Sequence, residues 1–267
     1  MTDTPDDLSA VLAIHVGNSR TRLGMLRGTS VEAAESFDNA DIKPIVARAA
    51  EWSSQDPDAV VALASVNRKV ADALAAELRA SLGIEVYRLG IDLPIAIPNA
   101  LDDDSTVGQD RLLAALGAFT RVSSACVVID AGTAVTVDFV DGEGVFQGGA
   151  IAPGVRMMLR ALHEHTSALP KLEFQPQDPH RGVFGKDTAH AMQLGVAAGV
   201  RGLARQLIEQ YAEAYGAYPP VLVTGGDAVA LFDGDPIIDR LDLDLQLVGI
   251  ARSCQLALDD ADDEDDL

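Results

Sequence analysis

Lysine is scarce in this chain of 267 residues: Lys43, Lys69, Lys171 and Lys186 are all of it, and the formal net charge is −21. A field of that sign repels polyanions, which argues against a nucleic-acid partner. ATP is not excluded, because it needs only a local pocket of N–H donors and a cation. Aromatic residues make up 4% of the chain, so its core must rest on Ala, Val, Leu and Ile, and a hydrophobic fraction of 48% supplies them. No apolar run is long enough to span a bilayer, so no membrane partner is expected. Met1–Ser9 is polar and acidic, without the basic start of a secretion signal. Cys126 and Cys254 are the only cysteines, too few for a disulfide scaffold. Together these absences point to a reducing compartment and a cytoplasmic protein. The run Asp259–Leu267 is nearly all acidic, cannot bury apolar surface and reads as a disordered tail.

What is present is a repeated pattern. The apolar run Val11–Ile14 ends at His15-Val16-Gly17-Asn18-Ser19, and a strand-like pattern resumes over Thr21–Leu26. A second run, Cys126–Ile129, ends at Asp130-Ala131-Gly132-Thr133 and resumes over Ala134–Val140. The two units superpose in sequence at a constant offset of 115 residues. A repeat this long suggests two similar lobes, since solenoid periods run only to ~50 residues. Strands are read at Ala59–Ala64, Glu85–Leu89 and Val221–Val223. Helices are read at Val70–Leu82, Gly108–Phe119, Val155–Leu162 and Thr188–Tyr215. The alternation makes each lobe an α/β layer structure. We place the lobes at residues 1–120 and 121–258. A doubly wound fold would follow its glycine motif with a helix, whereas a strand follows here.

Glycine lets a turn approach a ligand closely, and the next backbone N–H groups with a hydroxyl or amide can hold phosphate oxygens. Gly17-Asn18-Ser19 and Gly132-Thr133 have that form, although either alone is equally a plain hairpin turn. Thr224-Gly225-Gly226-Asp227 comes third, where paired glycines would let an adenine or ribose lie against backbone. Val107-Gly108-Gln109-Asp110-Arg111 opens a helix. A carboxylate there can accept a proton from an attacking hydroxyl, and a guanidinium can take a carboxylate or phosphate. The alternative is that Asp110 only caps the helix. Asp102, Asp103 and Asp104 read as solvated loop charges.

In this order, the segments resemble type III pantothenate kinases. The resemblance rests on Gly17-Asn18-Ser19, Val107–Arg111, the block Asp130–Asp138 and the run Gly148-Gly149-Ala150-Ile151-Ala152-Pro153-Gly154. It continues through Ser167–Pro170, Gly185-Lys186-Asp187-Thr188 and Thr224-Gly225-Gly226, covering nearly the whole chain. It implies two ribonuclease H-like lobes, as in actin, hexokinase and acetate kinase, with a cleft between them. It also implies phosphorylation of pantothenate by ATP, the opening step of coenzyme A synthesis. ATP, with magnesium or manganese, would lie on His15, Val16, Gly17, Asn18, Ser19, Arg20, Thr21, Arg22 and Thr133. Pantothenate would lie on Gly108, Gln109, Asp110, Arg111 and Thr188, with Arg111 on its carboxylate and Asp110 as general base. Asp130 would hold a monovalent cation, potassium or ammonium. The resemblance further implies a homodimer with active sites at the subunit interface.

Two positions depart from the family pattern. His15 stands where the family has Asp, and Leu101 where it usually has Tyr. Both favour an alternative, a non-catalytic nucleotide or metabolite binder, or an accessory regulator similar to the Bvg accessory factor. A sugar or acetate kinase fits the fold but not the Asp130–Gly154 block.

Overall fold

The computed structural model describes residues 10–265. In chain order its elements are β1 (Val11–Val16), β2 (Arg20–Arg27), β3 (Ser30–Asp38), α1 (Lys43–Gln55), β4 (Val60–Ser65), α2 (Arg68–Leu82), β5 (Tyr87–Arg88) and α3 (Gln109–Val122). There follow β6 (Cys126–Ala131), β7 (Ala134–Val140), β8 (Phe146–Pro153), α4 (Val155–Glu164), α5 (Thr188–Tyr215), β9 (Val221–Thr224), α6 (Ala228–Phe232), β10 (Arg240–Leu241) and α7 (Leu245–Asp265).

The chain divides into two compact units. One holds the residues up to Ser123, with Gly144–Phe146 and the segment from Asp244 onward; the other holds Ser124–Glu143 and Gln147–Leu243. Each contains one five-stranded sheet, ordered β3-β2-β1-β4-β5 in the first and β8-β7-β6-β9-β10 in the second. The sequence repeat is thus a repeat of topology. β1 and β6 are the central strands, each antiparallel to the strand that follows it and parallel to β4 or β9. The second turn is one residue shorter: Val16 pairs with Thr21 across the first turn, and Ala131 with Val135 across the second.

A central strand covered on both faces reads as a continuous apolar run, which explains Val11–Ile14. Leu12, Ile14 and Val16 pack with Ile45 and Ala49 of α1 and Leu74 and Leu78 of α2. Val11 and Ala13 pack with Leu113 of α3 and Leu247, Val248 and Ala251 of α7. In the second unit Val127, Ile129 and Ala131 pack with Val155 and Leu159 of α4 and Val196 and Val200 of α5.

Helix α7 lies in the first unit, whereas the sequence reading placed residues to 258 in the second lobe. The reason is its fit to α3. A Cβ on Gly117 would run into the backbone of Leu245, and one on Gly249 into that of Leu113, so the helices cross where each lacks a side chain. That complementarity is visible only once the two helices are together. The helix also runs on to Asp265, through most of the stretch expected as a disordered tail. Extending a packed helix costs far less than nucleating one. Residues 266–267 of that stretch lie outside the described residues, as does the Met1–Ser9 segment. No helix among the described residues is long and apolar enough to cross a membrane.

Candidate active site

The first glycine turn joins β1 to β2. The Gly17 N–H donates to the Arg20 carbonyl at 2.9 Å. The outward carbonyls of the turn are all occupied. Asn39 Nδ2 donates to the Gly17 carbonyl at 2.8 Å and Asn67 Nδ2 to the Asn18 carbonyl at 3.1 Å. The Asn39 backbone N–H donates to the Ser19 carbonyl at 3.1 Å. Asn18, Ser19 and Arg20 are exposed, while Val16 and Thr21 are fully buried. The Arg20 guanidinium reaches back along the sheet to Ser36, with Nε 3.0 Å from its hydroxyl.

His15 follows Val11 and Ala13 on the α3/α7 side of the sheet, because side chains alternate along a strand. Its Nε2 is closed to solvent and makes no hydrogen bond. Burial pushes the imidazole pKa below its ordinary value, and the negative charge of Asp110 pulls the other way without overcoming it. His15 is therefore neutral at pH 7. Its cross-strand neighbour Arg22 is paired with Asp244 at 2.7 Å, with both side chains about three-quarters buried.

Helix α3 begins at Gly108, an extended N-cap without a side chain to close the helix. The Asp110 carboxylate accepts the Arg111 N–H at 2.9 Å. It folds back over Gly108, where a Cβ would stand 2.5 Å from Asp110 Oδ1. Asp110 thus takes one first-turn N–H, part of the cap role considered from sequence, and its charge reaches His15 near the end of β1. The Gln109 amide is spent on backbone at both ends: Oε1 accepts the Ser65 N–H at 3.2 Å, and Nε2 donates to the Leu89 carbonyl at 3.0 Å. Its side chain ties the start of α3 to the sheet. The Arg111 guanidinium lies over the Phe146 ring, 5.4 Å from its centroid. Phe146 is fully buried and bonded to the segment before Leu101: its N–H donates to the Pro98 carbonyl at 2.8 Å, and its carbonyl accepts the Ala100 N–H at 3.0 Å. Sequence reasoning missed Phe146, since a lone aromatic before a glycine pair carries no signal.

In the second unit, glycine makes room for the corresponding turn. Gly132 donates to the Ala134 carbonyl at 3.0 Å and Gly154 to the Thr133 carbonyl at 3.1 Å. A Cβ on Gly154 would collide with the Gly132 and Thr133 carbonyls, so the first turn of α4 abuts the Gly132-Thr133 turn. Gly225, at φ +99°, lies against Asp130; a Cβ there would collide with Asp130 Oδ1 and stand 2.5 Å from the Ala131 carbonyl oxygen. Asp130, Gly132, Thr133 and Gly225 therefore converge at the ends of β6 and β9. Two residues that the sequence reading left without a role join them. Arg156 Nη1 stands 2.5 and 2.7 Å from the two carboxylate oxygens of Asp227, whose side chain is 5% exposed. Thr188 is exposed at the start of α5, next to the capping residue Asp187. Asp187 accepts the His190 N–H at 2.8 Å and is paired with Arg181.

Nucleophilic thiol chemistry does not fit this molecule. Cys126 and Cys254 are buried, and burial pushes both thiols up to about 12. No cluster of three or more His, Cys, Asp or Glu side chains forms among the described residues. Each unit offers a glycine turn after its central strand, and the first adds a carboxylate at a helix start; groups of these kinds can approach phosphate oxygens or accept a proton.

The profile of type III pantothenate kinases matches residues 11–210. The chain belongs to the type III pantothenate kinase family. A relative with that description from Rhodopirellula baltica is 36% identical, over 84% of this chain and 90% of its own. One from Anaeromyxobacter is 32% identical, over 90% of this chain and 96% of its own. Among solved structures, a conserved Baf family protein from Campylobacter jejuni superposes with a TM-score of 0.60 at 18% identity, covering 93% of this chain and all of that one. The ROK hexokinase of Thermus thermophilus superposes at 0.50 and 14% identity, covering 94% of this chain and 99% of its own. At these identities the structures speak for the fold alone, and it is the expected one of two ribonuclease H-like units, each a five-stranded sheet with helices.

Proposed function

We propose that this member of the family transfers the γ-phosphoryl group of ATP to the primary hydroxyl of pantothenate, giving 4′-phosphopantothenate and ADP, the first step of coenzyme A synthesis. The observation that carries this reading is the family match over residues 11–210, which includes both glycine turns and the Gly108–Arg111 helix start. One bond forms, from the hydroxyl oxygen to phosphorus. One breaks, from phosphorus to the oxygen of the departing ADP. The hydroxyl proton goes to Asp110, which sits in the first turn of α3 where the helix N-terminus favours a carboxylate.

The N–H groups of Asn18 and Ser19 and the Thr133 hydroxyl hold phosphate oxygens, while the Gly17 N–H closes the turn on the Arg20 carbonyl, and Arg111, lying on Phe146, takes the pantothenate carboxylate. Gln109 acts through the helix, by fixing where Asp110 begins. Thr188, at the exposed start of α5, is assigned to pantothenate. A monovalent cation is assigned to Asp130, whose carboxylate lies with the Ala131 carbonyl oxygen against Gly225, so that two oxygens come together at one place. Such an ion supplies positive charge beside the second turn. Position 15 fits magnesium poorly: it offers a neutral buried imidazole where the family has a carboxylate, and magnesium takes oxygen ligands. A divalent ion would then depend on ligands other than the position 15 side chain. The working form is a cytoplasmic homodimer.

His15 also favours a second reading, a homologue that binds nucleotide without turnover. A coupled assay of ADP release, run with and without pantothenate, separates the two. Release that depends on pantothenate, with phosphopantothenate found by mass spectrometry, supports the kinase. ATP binding without pantothenate-dependent release supports the binder.

A further inference from the structure

We infer that Asn39, assisted by Asn67, is the positioning residue of the first phosphate turn, holding the turn's carbonyls so that its N–H side is presented to ATP. The inference rests on the reading of Gly17–Ser19 as a phosphate turn. It adds a residue 20 positions downstream of that turn, outside every segment that carries the family resemblance.

The geometry is that of a clamp. Asn39 follows directly on β3, whose last residue, Asp38, pairs with Arg20. Its Nδ2 donates to the Gly17 carbonyl at 2.8 Å and to the Asn18 carbonyl at 3.3 Å. Its own N–H donates to the Ser19 carbonyl at 3.1 Å. Asn67 adds a second donor to the Asn18 carbonyl at 3.1 Å, while its Oδ1 accepts the Val70 N–H at the start of α2. All three carbonyls of the turn are thereby bound. Carbonyl oxygens can only accept, so Nδ2 must point to the turn and Oδ1 away from it. Oδ1 accepts the Thr21 hydroxyl at 2.7 Å, and Thr21 is fully buried. The side chain of Thr21, a residue that the family resemblance assigns to ATP, fixes the Asn39 amide.

A peptide that turned its carbonyl toward a phosphate would set the negative end of its dipole against negative charge, so a turn that binds phosphate must keep its carbonyls away. In the second turn a backbone donor holds one such carbonyl, as Gly154 donates to the Thr133 carbonyl. In the first turn the Gly17 and Asn18 carbonyls are held by the Asn39 and Asn67 side chains.

The test is ATP binding by calorimetry, with steady-state kinetics, on the full chain carrying Asn39→Ala, Asn39→Asp or Thr21→Val. Asn39→Ala is expected to weaken ATP binding and raise its KM by ~10-fold, with the KM for pantothenate unchanged. Asn39→Asp still accepts from Thr21 but has no side-chain donor for the carbonyls and adds a negative charge; it is expected to lose ~100-fold. Thr21→Val, which frees the amide to rotate, should fall between wild type and Asn39→Ala. A merely structural role would lower the thermal midpoint and shift both KM values together, and that result overturns the inference. Unchanged ATP affinity in folded Asn39→Ala overturns it as well. Wild type that binds no ATP removes the phosphate-turn reading itself, and the inference with it.

Discussion

His15 and Arg22 face each other across the β1–β2 ladder, yet the carboxylate that meets Arg22 comes from Asp244, 2.7 Å away at the start of α7. The arginine beside the first turn is therefore neutralised from elsewhere in the chain, and the imidazole is left with its Nε2 unbonded. Position 15 therefore brings no negative charge to the site, while Arg22 keeps a partner that does not depend on position 15.

Weak magnesium-supported turnover follows, with a relative gain in manganese or cobalt, which accept nitrogen ligands more readily. His15→Asp should raise the magnesium-dependent rate. It brings a second carboxylate near Asp110, so its stability should be lower without metal and recover when magnesium and ATP are added. Rates and melting curves across the three metals check this. No gain with magnesium in the variant, together with no manganese preference in wild type, would exclude a metal-facing role for His15.

Asp110→Asn keeps the shape of the side chain and one acceptor for the Arg111 N–H, but it cannot take a proton. Turnover should fall by ~10²–10⁴-fold while both substrates bind nearly as before. A kcat within a few-fold of wild type would reduce Asp110 to a helix cap.

Potassium or ammonium should activate the enzyme and sodium should do so poorly, with the difference abolished in Asp130→Ala. The proposed cause is the pair of oxygens, the Asp130 carboxylate and the Ala131 carbonyl, that meet against Gly225. Rates measured after thorough removal of monovalent ions decide it, and equal rates in sodium and potassium count against the site.

Arg156→Ala should destabilise the protein by about 1–3 kcal/mol at pH 7, a figure tempered because Arg156 is half in water. Asp227 is nearly inaccessible, and burial lifts its pKa above the ordinary carboxylate value while Arg156 pulls it down. A raised carboxylate favours the folded state while protonated and loses that advantage as pH rises from its unfolded pKa through its folded one. Without Arg156 the lift grows. The gap between variant and wild type should therefore be widest at neutral pH and close as the pH falls into the range where Asp227 is protonated. Thermal melts of both proteins at pH 7 and pH 4.5 measure it; a gap that does not change with pH would show that Arg156 does not compensate a buried charge.

Sedimentation at micromolar protein should give twice the mass of one chain. A monomer at that concentration would be at odds with a pocket completed by two subunits.

The apolar runs before Gly17 and Gly132 revealed the duplicated central strands, because a strand covered on both faces reads as an apolar run and a glycine turn marks its end. The same pattern placed Asp110 at a helix start and Gly225 at a strand end. Both depend on neighbours in sequence, where local rules operate. The membership of α7 was not legible, since it depends on Gly117 and Gly249 meeting backbone from a helix more than a hundred residues distant. Nor was the fate of Arg22, whose partner Asp244 is 222 residues away. Thr21 looked like part of a phosphate turn because it lies just after one. Its side chain points to the opposite face from Arg22, and only the folded sheet, with Asn39 brought beside it from the end of β3, shows where that hydroxyl goes. Position in the chain settled which residues lie near the turns. The tertiary structure decided which way they face and what they touch, because strand alternation and long-range pairing are set by packing between elements that the sequence lists far apart.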